Sequence, residues 1–386
     1  MLAHSPPLPL VIDYLNTDIT AEDEEAIIIA LARRDRVRRI RFCLPVLKLQ
    51  RLIMAMDGGY PILEHLVLGD LIKERQTVLI FPETLQIPRL RHLTIDCPTP
   101  VRSPLLGAAT DLVILCLPLR HPSAYFEPTA LIQWLSFMPQ LEIVLIMFHF
   151  HVSDRDVERQ LICTPITTHA ILPNLRLFAF KAINAYSEAV LSRITAPRLE
   201  NFQICYPKEL TSSVPELLQF MKRTETLRFD HATFYFCSEQ VYVMVNPPKA
   251  KMFAFSIIID CLHLDRQVSS VARIFNELSQ MFSTVEHLTL GHGIHSRSSE
   301  EHNQVNRDEW RKLLRSFSNV KTFRVHHRLV DELSRCLRLG DGERLLELLP
   351  ELQELAYSGT GNTNDAFTSF IDHRQNAGRP VTVIKA

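Results

Sequence analysis

Along the chain, apolar residues recur in a short uneven frame, apolar-x-x-apolar-x-apolar. "LRHLTI" from Leu90 shows it plainly, and the same frame opens at Val37, Leu63, Leu112, Leu141, Leu175, Leu199, Val285, Val320 and Leu352, with weaker copies at Thr224 (TETLRF) and Ala250 (AKMFAF). The last three positions alternate apolar-polar-apolar, which is the pattern of a strand with one covered face. Steps between copies run from 22 residues (Leu90 to Leu112) to 35 (Val285 to Val320). Pro61, Pro88, Pro139, Pro173, Pro197 and Pro350 each stand two residues before the first apolar position of their copy. Proline fixes φ and cannot donate to a ladder, so it suits the start of a strand.

Between these segments the apolar spacing changes to three and four. "TAEDEEAIIIALARR" predicts a helix capped by Thr20, with acids in its first turn and Arg33 and Arg34 at its end. "PVLKLQRLIMAMD", "EPTALIQWLSFM", "AYSEAVLSRI", "SVPELLQFMKR", "DRQVSSVARIFNELSQMF", "RDEWRKLLRSF" and "NDAFTSFIDHR" predict further helices. The order is strand, loop, helix, loop. One such unit cannot bury its apolar face, but stacked neighbours can. The pattern therefore predicts an α/β solenoid over residues 1–386, of about 12–14 units, with a parallel sheet on the concave side and helices on the convex side.

Irregular repeats of P-x-L-x-x-L-x-L with long variable helices resemble the leucine-rich-repeat region of fungal F-box proteins, the mushroom-type expansions especially, whose fold is similar to ribonuclease inhibitor. The resemblance implies a protein-recognition scaffold, the substrate-receptor part of an SCF-type ubiquitin ligase. An F-box would add a Skp-type adaptor as partner. No F-box helices are recognisable before Val37, where "PPLPLVIDYL" leads directly into repeat-like sequence. A free-standing leucine-rich-repeat binder or inhibitor is the alternative, and a hydrolase or nucleotide-dependent enzyme on the same scaffold a third.

Composition narrows the partners. The net charge of −1 argues against nucleic acid, which needs a basic face. Eight cysteines are scattered without a CxxC, as in a reducing compartment. The first residues lack the basic and apolar regions of a signal peptide, and the longest apolar run, around "LEIVLIMF", is far short of a membrane span. A cytoplasmic or nuclear protein, away from membranes, is expected.

No catalytic motif is found: there is no GxSxG, P-loop, HExxH or EF-hand spacing. "SGTGNTND" (358–365) follows a strand as a nucleotide loop would, but lacks the third glycine. Two histidine groups offer metal-type ligands: His149 and His151 with Asp154, Asp156 and Glu158, and His287, His292, His295 and His302. Neither has a tight ligand frame, and both are expected in polar loops, so neither a metal nor a cofactor is anticipated. "RRDRVRRIR" (33–41) is a basic cluster at a helix end.

The frame also orders the outward positions of the concave face. Arg39, Arg41, His65 and His92 come first, followed by Ile114, Cys116, Ile143, Leu145 and Leu177. Successive repeats turn apolar where their neighbours are polar. A contiguous exposed apolar patch marks an interaction site, so this stretch is the expected contact for a protein partner. The rival expectation is that the segment from His149 to Ala170 folds over it.

Overall fold

The structure is a computed structural model that describes residues 8–70, 79–97, 106–107, 109–224, 226–227, 229–247, 253–293, 307–326, 329–338, 348–358 and 366–385. The chain is mixed α/β and divides into two compact units, Met1–Leu199 and Glu200–Ala386.

One local device recurs ahead of the strands. The carbonyl of the residue before each framed proline accepts from the amide of the first apolar position: Tyr60 from Leu63, Ile87 from Leu90, Met138 from Leu141, Leu172 from Leu175, Ala196 from Leu199 and Leu349 from Leu352, at 3.1–3.4 Å. Proline is thus the second residue of a β-turn, where its fixed φ is what the turn requires. It acts one step before the strand rather than at the strand's own start. The apolar residue that closes each turn is buried, from Leu63 to Leu352.

In the first unit the strands are β1 (Leu10–Leu15), β2 (Val37–Cys43), β3 (His65–Gly69), β4 (His92–Asp96), β5 (Ile114–Leu119), β6 (Ile143–Phe148), β7 (Ala170–Ile171), β8 (Leu177–Lys181) and β9 (Ile194–Thr195). They form a parallel sheet in the order β1-β2-β3-β4-β5-β6-β8, while β7 and β9 pair separately. Burial alternates strictly along β3 to β6. Leu66, Leu68, Leu93, Ile95, Leu115, Leu117, Val144 and Ile146 point into the core. Each such side chain contributes about 1.5–3 kcal/mol when fully buried.

The helices supply the other wall of that core. They are α1 (Ala21–Leu31), α2 (Val46–Met54), α3 (Pro128–Ser136), α4 (Asp154–Cys163) and α5 (Asn184–Leu191). Thr20 caps α1 as the sequence suggests, its Oγ1 accepting from the Asp23 amide at 3.1 Å. Leu49, Leu52 and Ile53 of α2 and Leu131, Ile132 and Leu135 of α3 are buried. Where these layers meet, Phe148 packs on Phe126 and Tyr186 with ring centroids 5.3 and 5.0 Å apart.

In the second unit the strands are β10 (Asn201–Tyr206), β11 (His231–Phe236), β12 (Gln240–Asn246), β13 (Phe255–Asp260), β14 (His287–His292), β15 (Thr322–His326), β16 (Glu354–Ser358) and β17 (Thr382–Lys385). Their order is β10-β13-β12-β11-β14-β15-β16-β17. Helices α6 (Pro215–Arg223), α7 (Leu264–Glu277), α8 (Arg307–Arg315), α9 (Leu329–Leu337) and α10 (Thr368–Asn376) accompany them.

Two expectations fail here. β12 runs antiparallel to both β11 and β13, so the parallel order is broken by a hairpin that the repeat frame does not contain. The two weak frame copies are also misplaced. Thr224 and Leu227 are buried, but they close a turn (3.3 Å), and the strand comes later, in the frame "FDHATF" from Phe229. The other strand begins at Phe255 and pairs with Phe202, two residues beyond the sequence assignment. Thr226, an outward position of the copy at Thr224, therefore lies outside the sheet, while Arg228 and Met252, outward positions of the two weak copies, fall outside the described residues.

Among the described residues no helix is long and apolar enough to cross a membrane.

Candidate functional site

Parallel register gathers all the outward residues singled out above onto one face of the first unit. Arg39 pairs with His65, His65 with His92, His92 with Ile114, Ile114 with Ile143 and Ile143 with Leu177. Two residues on, a second row runs Arg41, Val67, Thr94, Cys116, Leu145 and Ala179. Rows of this kind set neighbouring side chains about 4.8 Å apart. The register holds because a one-residue slip would drive every core leucine to the open side.

The face changes character along its rows. Arg39, Arg41, His65 and His92 make a basic and polar end, and Ile114, Cys116, Ile143, Leu145 and Leu177 make an apolar end; all are half-buried. Ala179 is fully buried instead, at 1% exposure. A third row, Pro118 beside Met147, extends the apolar end and closes at Lys181. The sequence reading missed Pro118 and Met147, although their parity, two positions beyond Cys116 and Leu145, was available to find them.

The electrostatics suit a surface that is neutral at its middle. The rings of His65 and His92 lie 5.6 Å apart, and His92 Nε2 is 3.1 Å from Thr94 Oγ1. Partial burial pulls both imidazoles below their ordinary pKa; for His92 the neighbouring His65 and Arg39 add to this, and for His65 the Glu64 carboxylate opposes it. Burial also pushes the Cys116 thiol up, with Asp96 adding and the Thr94 hydroxyl opposing. A thiol held protonated is a poor nucleophile. At the rim Arg120 clamps Asp96 through two contacts, 2.6 and 3.3 Å.

The segment from His149 to Ala170 is held on the helical side. It carries α4, whose Gln160 accepts from the Tyr125 hydroxyl at 2.6 Å. The Thr164 carbonyl accepts from Thr129 of α3 at 3.2 Å, and Asp154 accepts from the Ala185 amide of α5 at 3.1 Å. This segment was expected as a polar loop; Asp154–Cys163 is a helix, with Val157 buried and acids in its first turn. Its tether to α3 and α5 leaves the apolar rows without this cover.

Two other features divide differently from expectation. Ser358 ends β16, and residues 359–365 lie outside the described residues, as do His295 and His302. His287 is instead set beside His231 of β11, in a frame the sequence reading had misplaced, and Asp230 completes the group.

No protein-family model matches the sequence, and comparison with curated proteins finds no similar one.

Proposed function

We propose that the chain is a non-catalytic protein-recognition scaffold of leucine-rich-repeat type, and that it grips a protein partner on the face bearing Ile114, Cys116, Ile143, Leu145 and Leu177. The observation that carries this is the apolar end of the rows on β5, β6 and β8. Each of these side chains still shows part of its surface to solvent, so up to about a third of the ~1.5–3 kcal/mol of full burial remains to be gained against a partner. The solenoid form of the proposal rests on the recurring proline turn and on a second repeated device. A single carbonyl accepts from two successive amides of the next strand: Glu64 from Arg91 and His92, Arg91 from Val113 and Ile114, Val113 from Glu142 and Ile143.

Arg39, Arg41, His65 and His92 would flank the contact. Charge beside a contact, here from Arg39 and Arg41, governs the rate of encounter more than the strength of the complex. A protein suits the net charge of −1 better than nucleic acid does. The thiol state of Cys116 favours binding over covalent chemistry at this face. A substrate-receptor role in an SCF-type ubiquitin ligase is the finer form, supported by the sequence resemblance; a free-standing binder or inhibitor shares the same face and differs in lacking the Skp-type adaptor.

The test is the double variant Ile143→Asp with Leu145→Asn. Both side chains face away from the core, so the melting temperature should stay within a few degrees of wild type. Quantitative affinity capture should then lose a partner that wild type retains saturably. Retention of the same partners by a folded variant would move the site elsewhere. Co-capture of the Skp-type adaptor separates the ligase reading from the free-standing one.

A further inference from the structure

The second unit places three metal-type ligands on one patch of its open face. His231 begins β11 and His287 begins β14, and the two are direct register partners in the parallel pair. Their rings stack with centroids 4.2 Å apart and planes at 20°. Asp230 Oδ2 lies 2.9 Å from His231 Nδ1, and one ligand atom from each of the three residues lies within 4.8 Å of the other two. The backbone beneath is fixed, because the Asp230 carbonyl accepts from both the Glu286 and His287 amides, at 2.9 and 3.1 Å.

We infer that Asp230, His231 and His287 form a binding site for a divalent transition metal of the zinc class. Two imidazoles and a carboxylate are a donor set such ions favour over calcium or magnesium, which prefer all-oxygen shells. Ligands at about 2.0–2.1 Å from a tetrahedral ion stand about 3.3 Å from one another, within reach of atoms that lie within 4.8 Å here. A metal sits in the plane of each imidazole, so binding would turn the rings out of their stack until both nitrogens converge on the ion. A cation would take the place between Asp230 Oδ2 and His231 Nδ1 that their direct contact now closes. Three protein ligands leave a further position for water or for a group from a partner.

The other histidine pair provides an internal contrast. His65 and His92 occupy the same frame position on adjacent strands, and an acid, Glu64, again precedes the first of them. Glu64 is taken by Arg38 at 2.9 Å, and the rings are farther apart and tilted by 56°. Glu286, which precedes His287, is likewise held by Lys321 at 2.7 Å. Asp230 instead aims its carboxylate at His231.

Full-length protein, freed of metal and kept reduced, should bind one equivalent of Zn²⁺ in equilibrium dialysis read by mass spectrometry of the metal. His287→Asn and His231→Asn should each abolish that equivalent, and Asp230→Asn should weaken it by about tenfold or more. Co²⁺ in place of zinc should give visible d–d bands without the near-ultraviolet charge transfer of thiolate ligands, which separates this site from the chain's cysteines. Should a variant fail to fold, wild type still decides: Zn²⁺ should protect His231 and His287 from carbethoxylation and leave His65 and His92 reactive. No bound equivalent, an equivalent that survives His287→Asn, thiolate charge transfer, or no protection of His231 and His287 would each overturn the site.

Discussion

His65 and His92 show how a frame position turns into chemistry. Each stands just before the second apolar residue of its repeat, so each faces outward and touches its counterpart on the next strand. Partial burial then disfavours the charged imidazole. Because both are held more neutral in the fold than in the unfolded chain, the unfolded state binds more protons below a pH of about 6.5. Their contribution to stability is therefore complete above that pH and is lost as pH falls towards their lowered folded values. Thermal melts at pH about 7 and about 5.5 should show wild type losing more than the double variant His65→Gln with His92→Gln. Parallel losses would mean that the pair carries no such penalty. Outwardness itself was legible residue by residue, since strict alternation left Leu93 and Ile95 one side and His92 and Thr94 the other. What a single residue could not disclose was company. Asp230 and His231 sit in a frame whose second apolar position is only an alanine, Ala232, and a stronger-looking "TETLRF" five residues earlier drew the assignment away.

Elements were legible where local physics and the repeat agreed. The strands from β2 to β6, and the helix capped by Thr20, combine apolar period, turn and cap in one message. The hairpin of β11 and β12 was not legible, because the antiparallel β12 alternates as well as any parallel strand does and the frame is silent about direction. Helix α4 was hidden for a different reason: of its ten residues only Val157 is buried, so its apolar stripe is too thin to read. Helix α10 conceals a polar linchpin. Arg374 is 1% exposed and donates to the carbonyls of Leu349 (3.0 Å), Pro350 (3.2 Å) and Leu352 (3.0 Å). These residues belong to the last proline turn, where Leu349 holds a positive φ of 50°. Arg374→Leu should strip three acceptors of their donor and cost about 3 kcal/mol, read as a lower urea midpoint with unchanged slope. Arg374→Lys should fall between, since an ammonium lacks the planar fork that reaches separate carbonyls. A neutral Arg374→Leu would show that solvent replaces the guanidinium there.

At the scale of the whole molecule, the proposal turns on rows that no single element contains. The apolar end needs β5, β6 and β8 in register, and a slip of one strand by one residue would replace Leu145 on the open face with Val144 or Ile146 and bury the wrong set. The sequence revealed these rows because the frame carries register implicitly: equal frame positions become neighbours once strands stack in parallel. It could not reveal whether α4 covered them, since that depends on Asp154 and Gln160 finding Ala185 and Tyr125, contacts 31 and 35 residues away. The central claim, that a protein partner is held on this face, is tested most directly by side-chain footprinting. Wild-type protein would be labelled with hydroxyl radicals or a photoactivated carbene, alone and with a partner recovered by affinity capture. The account predicts that protection centres on Ile114, Cys116, Ile143, Leu145, Met147 and Leu177 and fades towards Arg39. Protection confined to the exposed helical residues, such as Leu47 and Met54, with the rows labelled as before, would contradict it.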